Sequence, residues 1–207
     1  IIVMCHSELS EAMEEYRAGR PMVYYACNEG LSCGTPCAPK DESECLYFGN
    51  TEVCKYRSKK PEGVAVELAD CILRILDYMG RVGADVEGIM KRLPGFASYP
   101  QLIYREGEKK PLPDLVAGCH YLLSSAYMSQ RSAEILGRKK RQKVKAANLR
   151  HPFRVRDFER TAREKMVGCI LDILRWGKAN GVDMEEIIAL KHEYNKTREY
   201  RHGGKKL

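Results

Sequence analysis

Two stretches of this chain repeat each other, and a chain that writes one pattern twice has few architectures open to it. Residues 71–89 and 169–187 align at a constant offset of 98, with 9 of 19 positions identical. The copies read Cys71-Ile-Leu-Arg-Ile-Leu-Asp77 and Cys169-Ile-Leu-Asp-Ile-Leu-Arg175, and both keep Gly83/Gly181, Asp85/Asp183, Glu87/Glu185 and Ile89/Ile187. Upstream, Cys5-His-Ser-Glu-Leu-Ser-Glu-Ala12 matches Cys119-His-Tyr-Leu-Leu-Ser-Ser-Ala126 at an offset of 114, in the same order. The acids do not survive the copying. Glu8 and Glu11 become Leu122 and Ser125, while Glu67 and Asp70 become Lys165 and Gly168.

The spacing of apolar residues predicts helices over 4–18, from Pro61-Glu62 to about Gly80, and from Asp85 to Leu93. The second copy predicts helices near 114–137, 156–179 and 183–198. No segment alternates well enough to demand a strand, so the expected class is all-α: a helical bundle of two related halves packed as a pseudo-dimer. The first repeat spans 1–93 and carries a Cys-rich loop at 20–60, where Gly, Pro and Cys break every period. A Pro-rich connector covers 94–113, and the acid-depleted second repeat spans 114–207. At 207 residues this is enough chain for one substantial core or two small ones. The chain opens Ile1-Ile2, as a fragment lacking an earlier helix would.

Glu8 and Glu11 stand three apart on one expected helix, and Glu67 and Asp70 three apart on another. That spacing puts both members of each pair on one helix face. Two such faces turned together make a carboxylate cage, the arrangement bundles use for metal sites. Hard carboxylate oxygens suit Mg²⁺ or Mn²⁺. Asp70 lies inside the apolar run Val64-Ala-Val-Glu-Leu-Ala-Asp-Cys-Ile-Leu, where an idle charge is costly. The second copy keeps the hydrophobic frame and drops all four acids, so folding does not require them; they are expected to be functional.

The blocks His6-Ser-Glu-Leu-Ser-Glu-Ala12 and Pro61-Glu-Gly-Val-Ala-Val-Glu-Leu-Ala-Asp70, with the tail Lys191-His-Glu-Tyr-Asn-Lys-Thr-Arg-Glu-Tyr-Arg-His-Gly-Gly-Lys-Lys206, resemble the MazG-like all-α nucleoside triphosphate pyrophosphohydrolases. The family's EExxE reads Ser7-Glu-Leu-Ser-Glu11 here, one acid short, and its usual single copy is doubled. The resemblance implies Mg²⁺-dependent hydrolysis of (deoxy)nucleoside triphosphates to a monophosphate and pyrophosphate. It implies metal ligation by Glu8, Glu11, Glu67 and Asp70, with Glu11 or Glu8 taking the proton of the attacking water. Lys191, Asn195, Arg198 and Arg201, in the tail at 191–206, would grip the substrate. It also implies a homodimer or a higher assembly. One copy has the acids and the other has the tail, so the expectation is one composite site. The alternative is a catalytically weak nucleotide- or nucleic-acid-binding protein of the same fold.

Cys27, Cys33, Cys37, Cys45 and Cys54 fall in the 20–60 loop, as ligands of a structural Zn²⁺ or as free thiols in a flap. Nine cysteines, an odd number without an export signal, read as reduced thiols in a cytoplasm. Cys71, Cys119 and Cys169 lie in apolar helical contexts and read as core. Nine basic residues and no acid occupy 138–156, within the basic linker 137–156. Removing those nine turns a net charge of +7 into −2. They read as a solvated linker or as a nucleic-acid contact through phosphates. His6 and His120 repeat each other, which favours a structural role. Tyr24, Tyr25 and Trp176 are the candidates for stacking on a base. No run reaches the ~20 apolar residues of a membrane span, so no membrane partner is expected.

Overall fold

The computed structural model describes residues 1–27, 57–93, 109–141 and 155–197. The elements in order are α1 (Ile2–Arg17), β1 (Tyr24–Cys27), β2 (Arg57–Glu62), α2 (Val64–Arg81), α3 (Val86–Arg92), α4 (Leu112–Arg141), α5 (Val155–Ala179) and α6 (Met184–Lys196). Helices dominate, as the periodicity predicts. No described helix is long and apolar enough to cross a membrane.

Helix α2 is the hub, packed against α1, α5, α6 and β2. Its run of Val64, Ala65, Val66, Leu68, Ala69, Cys71, Ile72, Ile75 and Met79 is buried on nearly all sides, which an apolar helix surrounded by others requires. On α1 the buried residues are Ile2, Cys5, Leu9 and Ala12, at spacings of three and four, and Glu8 shares that inward face. Helix α4 packs along α5 and also touches α1, while α3 lies on α5. Each large aliphatic side chain removed from water contributes about 1.5–3 kcal/mol, so this shared core outweighs any local propensity.

The sequence repeat reappears as repeated local geometry. Helix α2 ends where Gly83 takes φ 60°, and α5 ends where Gly181 takes φ 72°. At the first end Ala84 N donates to Met79 O at 2.9 Å and Gly83 N to Gly80 O at 3.1 Å. At the second, Val182 N donates to Gly177 O at 2.9 Å and Gly181 N to Lys178 O at 3.3 Å. Both are Schellman closures, which glycine enters without a Cβ penalty. Asp85 then caps α3 by accepting from Gly88 N, and Asp183 caps α6 by accepting from the amides of Glu185 and Glu186.

Repeat-equivalent residues also meet across the seam between the two sets of helices. Hydrogen bonds link Cys5 to Cys71, Cys71 to Cys169 and Cys169 to Cys119, a chain that reads the same when the copies are exchanged. All four thiols are buried, as expected for Cys71, Cys119 and Cys169; the bond to Cys71 and burial raise Cys5, while in Cys119 burial outweighs the lowering effect of the bond to Cys169. His6 Nδ1 lies 2.6 Å from His120 Nδ1. Their ring centroids are 4.9 Å apart and their planes 9° apart. The centroid separation exceeds the N···N distance by about two ring radii, so the rings meet edge to edge and share one proton. The structural role expected of this pair is what the contact provides.

One local expectation fails. Tyr24–Cys27 and Arg57–Glu62 form an antiparallel ribbon inside the stretch read as loop, and Pro61 and Glu62 belong to β2 rather than to a helix. Pro61 is opposite Tyr25 and Glu62 opposite Tyr24. In a two-stranded ribbon every strand is an edge, where a missing proline N–H is tolerated. Tyr24 fastens the ribbon to the bundle, hydrogen-bonding Glu15 of α1 and Glu62.

Gly63 makes the turn from β2 into α2 at φ 114°, and Ala65 N donates to Met22 O at 3.0 Å. A Cβ on Gly63 would stand 2.6 Å from Pro21 O and 2.7 Å from Met22 O. Neither oxygen can retreat without opening the joint between ribbon and helix. Gly63→Ala is expected to cost at least about 2 kcal/mol, the scale of a backbone conformation reserved for glycine. Chemical denaturation checks it; an unchanged midpoint would mean that the joint yields freely.

Candidate metal centre

Two helices bring the acids together. Glu8 comes from the inward face of α1, and Glu67 and Asp70 come from the first two turns of α2. One carboxylate oxygen from each of the three lies within 4.8 Å of the others. Glu8 is 4% exposed and Glu67 7%. Three carboxylates this close and this dry repel one another unless cations intervene.

Two resident cations do intervene. Arg74, one turn along α2, donates from Nε to Glu8 Oε1 at 2.5 Å. Lys191 of α6 places Nζ 2.8 Å from Asp70 Oδ2, and is itself 2% exposed. A buried lysine is tolerated where a carboxylate meets it. Among the described residues Glu67 meets no cation within ion-pair distance. Burial pushes its carboxyl up to about 7; Lys191 opposes the rise, while Asp70, Glu11 and Glu8 add to it. Burial likewise raises Glu8, against the pull of Arg74.

The trio fits a hard divalent cation. Its donors are all oxygen, and Mg²⁺ holds its ligands at about 2.0–2.1 Å, so opposite ligands stand about 4 Å apart. The three oxygens lie within 4.8 Å of one another, a spread at which they could hold a metal ion. Bound there, the cation would meet Glu8, Glu67 and Asp70 and offset both the burial that raises Glu67 and the repulsion that adds to it.

Glu11 lies outside the trio. It is exposed one turn along α1 from Glu8, and its Oε1 accepts from Ser7 Oγ at 3.1 Å. It is still near enough to raise both Glu67 and Glu8 electrostatically. Among the tail residues, Lys191 reaches the acids and Asn195 is half-buried one turn further along α6. Arg198 and Arg201 lie outside the described residues, as do Cys33, Cys37, Cys45 and Cys54 and most of the basic linker.

Arg74 was not anticipated, although its place was legible: it stands four residues beyond Asp70, one turn along the same helix. The base-stacking candidates need correcting. Trp176 is 2% exposed, with Nε1 donating to Lys110 O at 3.0 Å, and Tyr24 is 6% exposed and tied to two glutamates. Neither ring face is open to a base.

The second copy keeps the positions and exchanges the chemistry. Lys165, standing where Glu67 does, donates to Ser125, which stands where Glu11 does. Leu122 and Gly168 replace Glu8 and Asp70 and also meet: a Cβ on Gly168 would be 3.7 Å from Leu122 Cδ1. An apolar contact and a lysine stand where the first copy has its acids, and the described residues there form no acidic cluster.

No family model, curated protein or solved structure matches the chain.

Proposed function

We propose that this protein is a divalent-metal-dependent nucleoside triphosphate pyrophosphohydrolase, with one composite site in which the first copy supplies the acids and the second supplies cationic substrate contacts. The carrying observation is that Glu8, Glu67 and Asp70 converge within 4.8 Å while Lys191, from the other copy, meets Asp70 at 2.8 Å. The pairing of Cys71 with Cys169 and of His6 with His120 supports the reading of two related halves joined as an internal pseudo-dimer.

When bound, Mg²⁺ or Mn²⁺ polarises phosphoryl oxygens and makes a coordinated water more acidic. Glu8, Glu67 and Asp70 hold that charge, and Arg74 orients Glu8. Glu11, exposed beside the trio, is the base available to a water at the solvent edge. Lys191, beside Asp70 at 2.8 Å, would be the cation of the second copy nearest a phosphate held at the acids. The resemblance would add Asn195, Arg198 and Arg201 to the substrate contacts, arginine being able to engage two oxygens at once.

The test is pyrophosphate release from a panel of nucleoside triphosphates with Mg²⁺, with Mn²⁺ and with chelator. Metal-dependent release supports the proposal, and binding without release supports a weak nucleotide-binding protein. That second reading is favoured by Arg74 and Lys191, which already neutralise two of the three acids and compete with an ion.

A further inference from the structure

A second charged feature lies away from the acids, in the cleft between α3 and α5. Gly83, Ala84, Asp85, Ile89 and Arg92 form one wall, and Arg160 and Arg163 form the other, around about 190 Å³. Three arginines and one aspartate are among the residues that line it. Asp85 is already engaged, its Oδ1 accepting from Gly88 N at 2.8 Å.

The arginines are poorly neutralised. Arg160 has only long contacts, 3.6 Å to Asp157 and 3.8 Å to Glu164. Arg92 and Arg163 meet no carboxylate among the described residues within ion-pair distance. Arg163 is half-buried, so its charge is less well hydrated than that of a free surface arginine. The amides of Gly83 and Ala84 are spent on Gly80 O and Met79 O, which leaves the arginines as the cationic groups of the cleft. Arg160 and Arg163 are three apart on α5 and share a face, and Arg92 approaches from the C-terminal end of α3.

We infer that this cleft binds a small phosphate oxyanion, held by Arg92, Arg160 and Arg163 and bridging α3 to α5. The guanidinium fork matches two oxygens of such an anion. The cleft is smaller than the ~300–1,000 Å³ of pockets that enclose whole drug-sized ligands, so phosphate or pyrophosphate fits better than a nucleoside. The inference concerns a surface outside the acid cluster and stands independently of the proposed hydrolysis.

The experiment uses the full chain with chelator present, so that the acid cluster takes no metal, and chloride holds ionic strength constant. Inorganic phosphate and pyrophosphate are titrated by calorimetry and by thermal midpoint. Saturable binding with a raised midpoint is expected, because a ligand of the native state stabilises it by mass action. Arg92→Gln/Arg163→Gln should weaken binding at least tenfold and Arg92→Gln alone, at an exposed position, at least threefold. Arg131→Gln, an exposed arginine on α4, and Glu67→Gln should leave it unchanged. A triphosphate that competes with inorganic phosphate would identify the source as a nucleotide's phosphates; phosphate binding without that competition would identify the free anion. Absence of saturable binding, or equal affinity in Arg92→Gln, overturns the inference.

Discussion

Glu67→Gln is expected to reduce metal-dependent pyrophosphate release by about three orders of magnitude, since a ligand that helps hold the Lewis acid supports several kcal/mol of transition-state stabilisation. The change is nearly isosteric, and stability should move the other way. Burial places the Glu67 carboxyl at about 7 in the folded chain, above its ordinary 4.5. The folded state therefore binds the proton more tightly than the unfolded state does. Its stability is unaffected by this group at acid pH, falls as pH rises from 4.5 towards 7, and stays lower above that. The difference is on the order of 3 kcal/mol for a fully buried group. Metal-free Glu67→Gln should accordingly melt higher than wild type at pH 8 and level with it near pH 4. Added Mg²⁺ should raise the wild-type midpoint at pH 8 and barely move the variant. An equal Mg²⁺ response in both proteins would remove Glu67 from the metal centre.

Lys191→Met should destabilise the metal-free protein by about 3–5 kcal/mol at pH 8, the scale of stripping one partner from a buried ion pair. Methionine fills the volume, so the loss is electrostatic rather than a cavity. Asp70 then faces Glu67 and Glu8 with the buried cation that met it gone, while Arg74 still holds Glu8. Two treatments should restore much of the loss: lowering the pH to 5, which protonates a carboxylate, and adding millimolar Mg²⁺, which replaces the missing charge. Thermal and chemical denaturation across pH and Mg²⁺ read both rescues. A deficit insensitive to pH and metal would mean that Lys191 serves packing alone and is no part of a shared site.

Much of this was legible along the chain. The helices fall where the period of apolar residues puts them, because a buried stripe at a spacing of three and four has one regular solution. Glu67 and Asp70 on one helix face, and Glu8 on the other, follow from the same count. The ribbon was not legible. Residues 57–62 are Arg-Ser-Lys-Lys-Pro-Glu, which carry no alternation, and their pairing with 24–27 joins segments some thirty residues apart. Strand identity there comes from a partner, not from local preference. Tyr24 looked free to stack on a base for a related reason: composition gives the ring and not its burial.

The chain by itself determined that two copies of a helix–turn–helix unit exist, because Gly83/Gly181 and Asp85/Asp183 encode helix stop and helix start through purely local hydrogen bonds. It also determined that only one copy carries the four acids Glu8, Glu11, Glu67 and Asp70. Tertiary structure alone decided which charges meet. Arg74 reaching Glu8, Lys191 crossing from α6 to Asp70, Glu11 left at the solvent edge and three arginines lining one cleft all depend on how helices pack. Coulomb interactions act through a few ångströms of space, and sequence separation says nothing about that distance when 120 residues lie between Asp70 and Lys191.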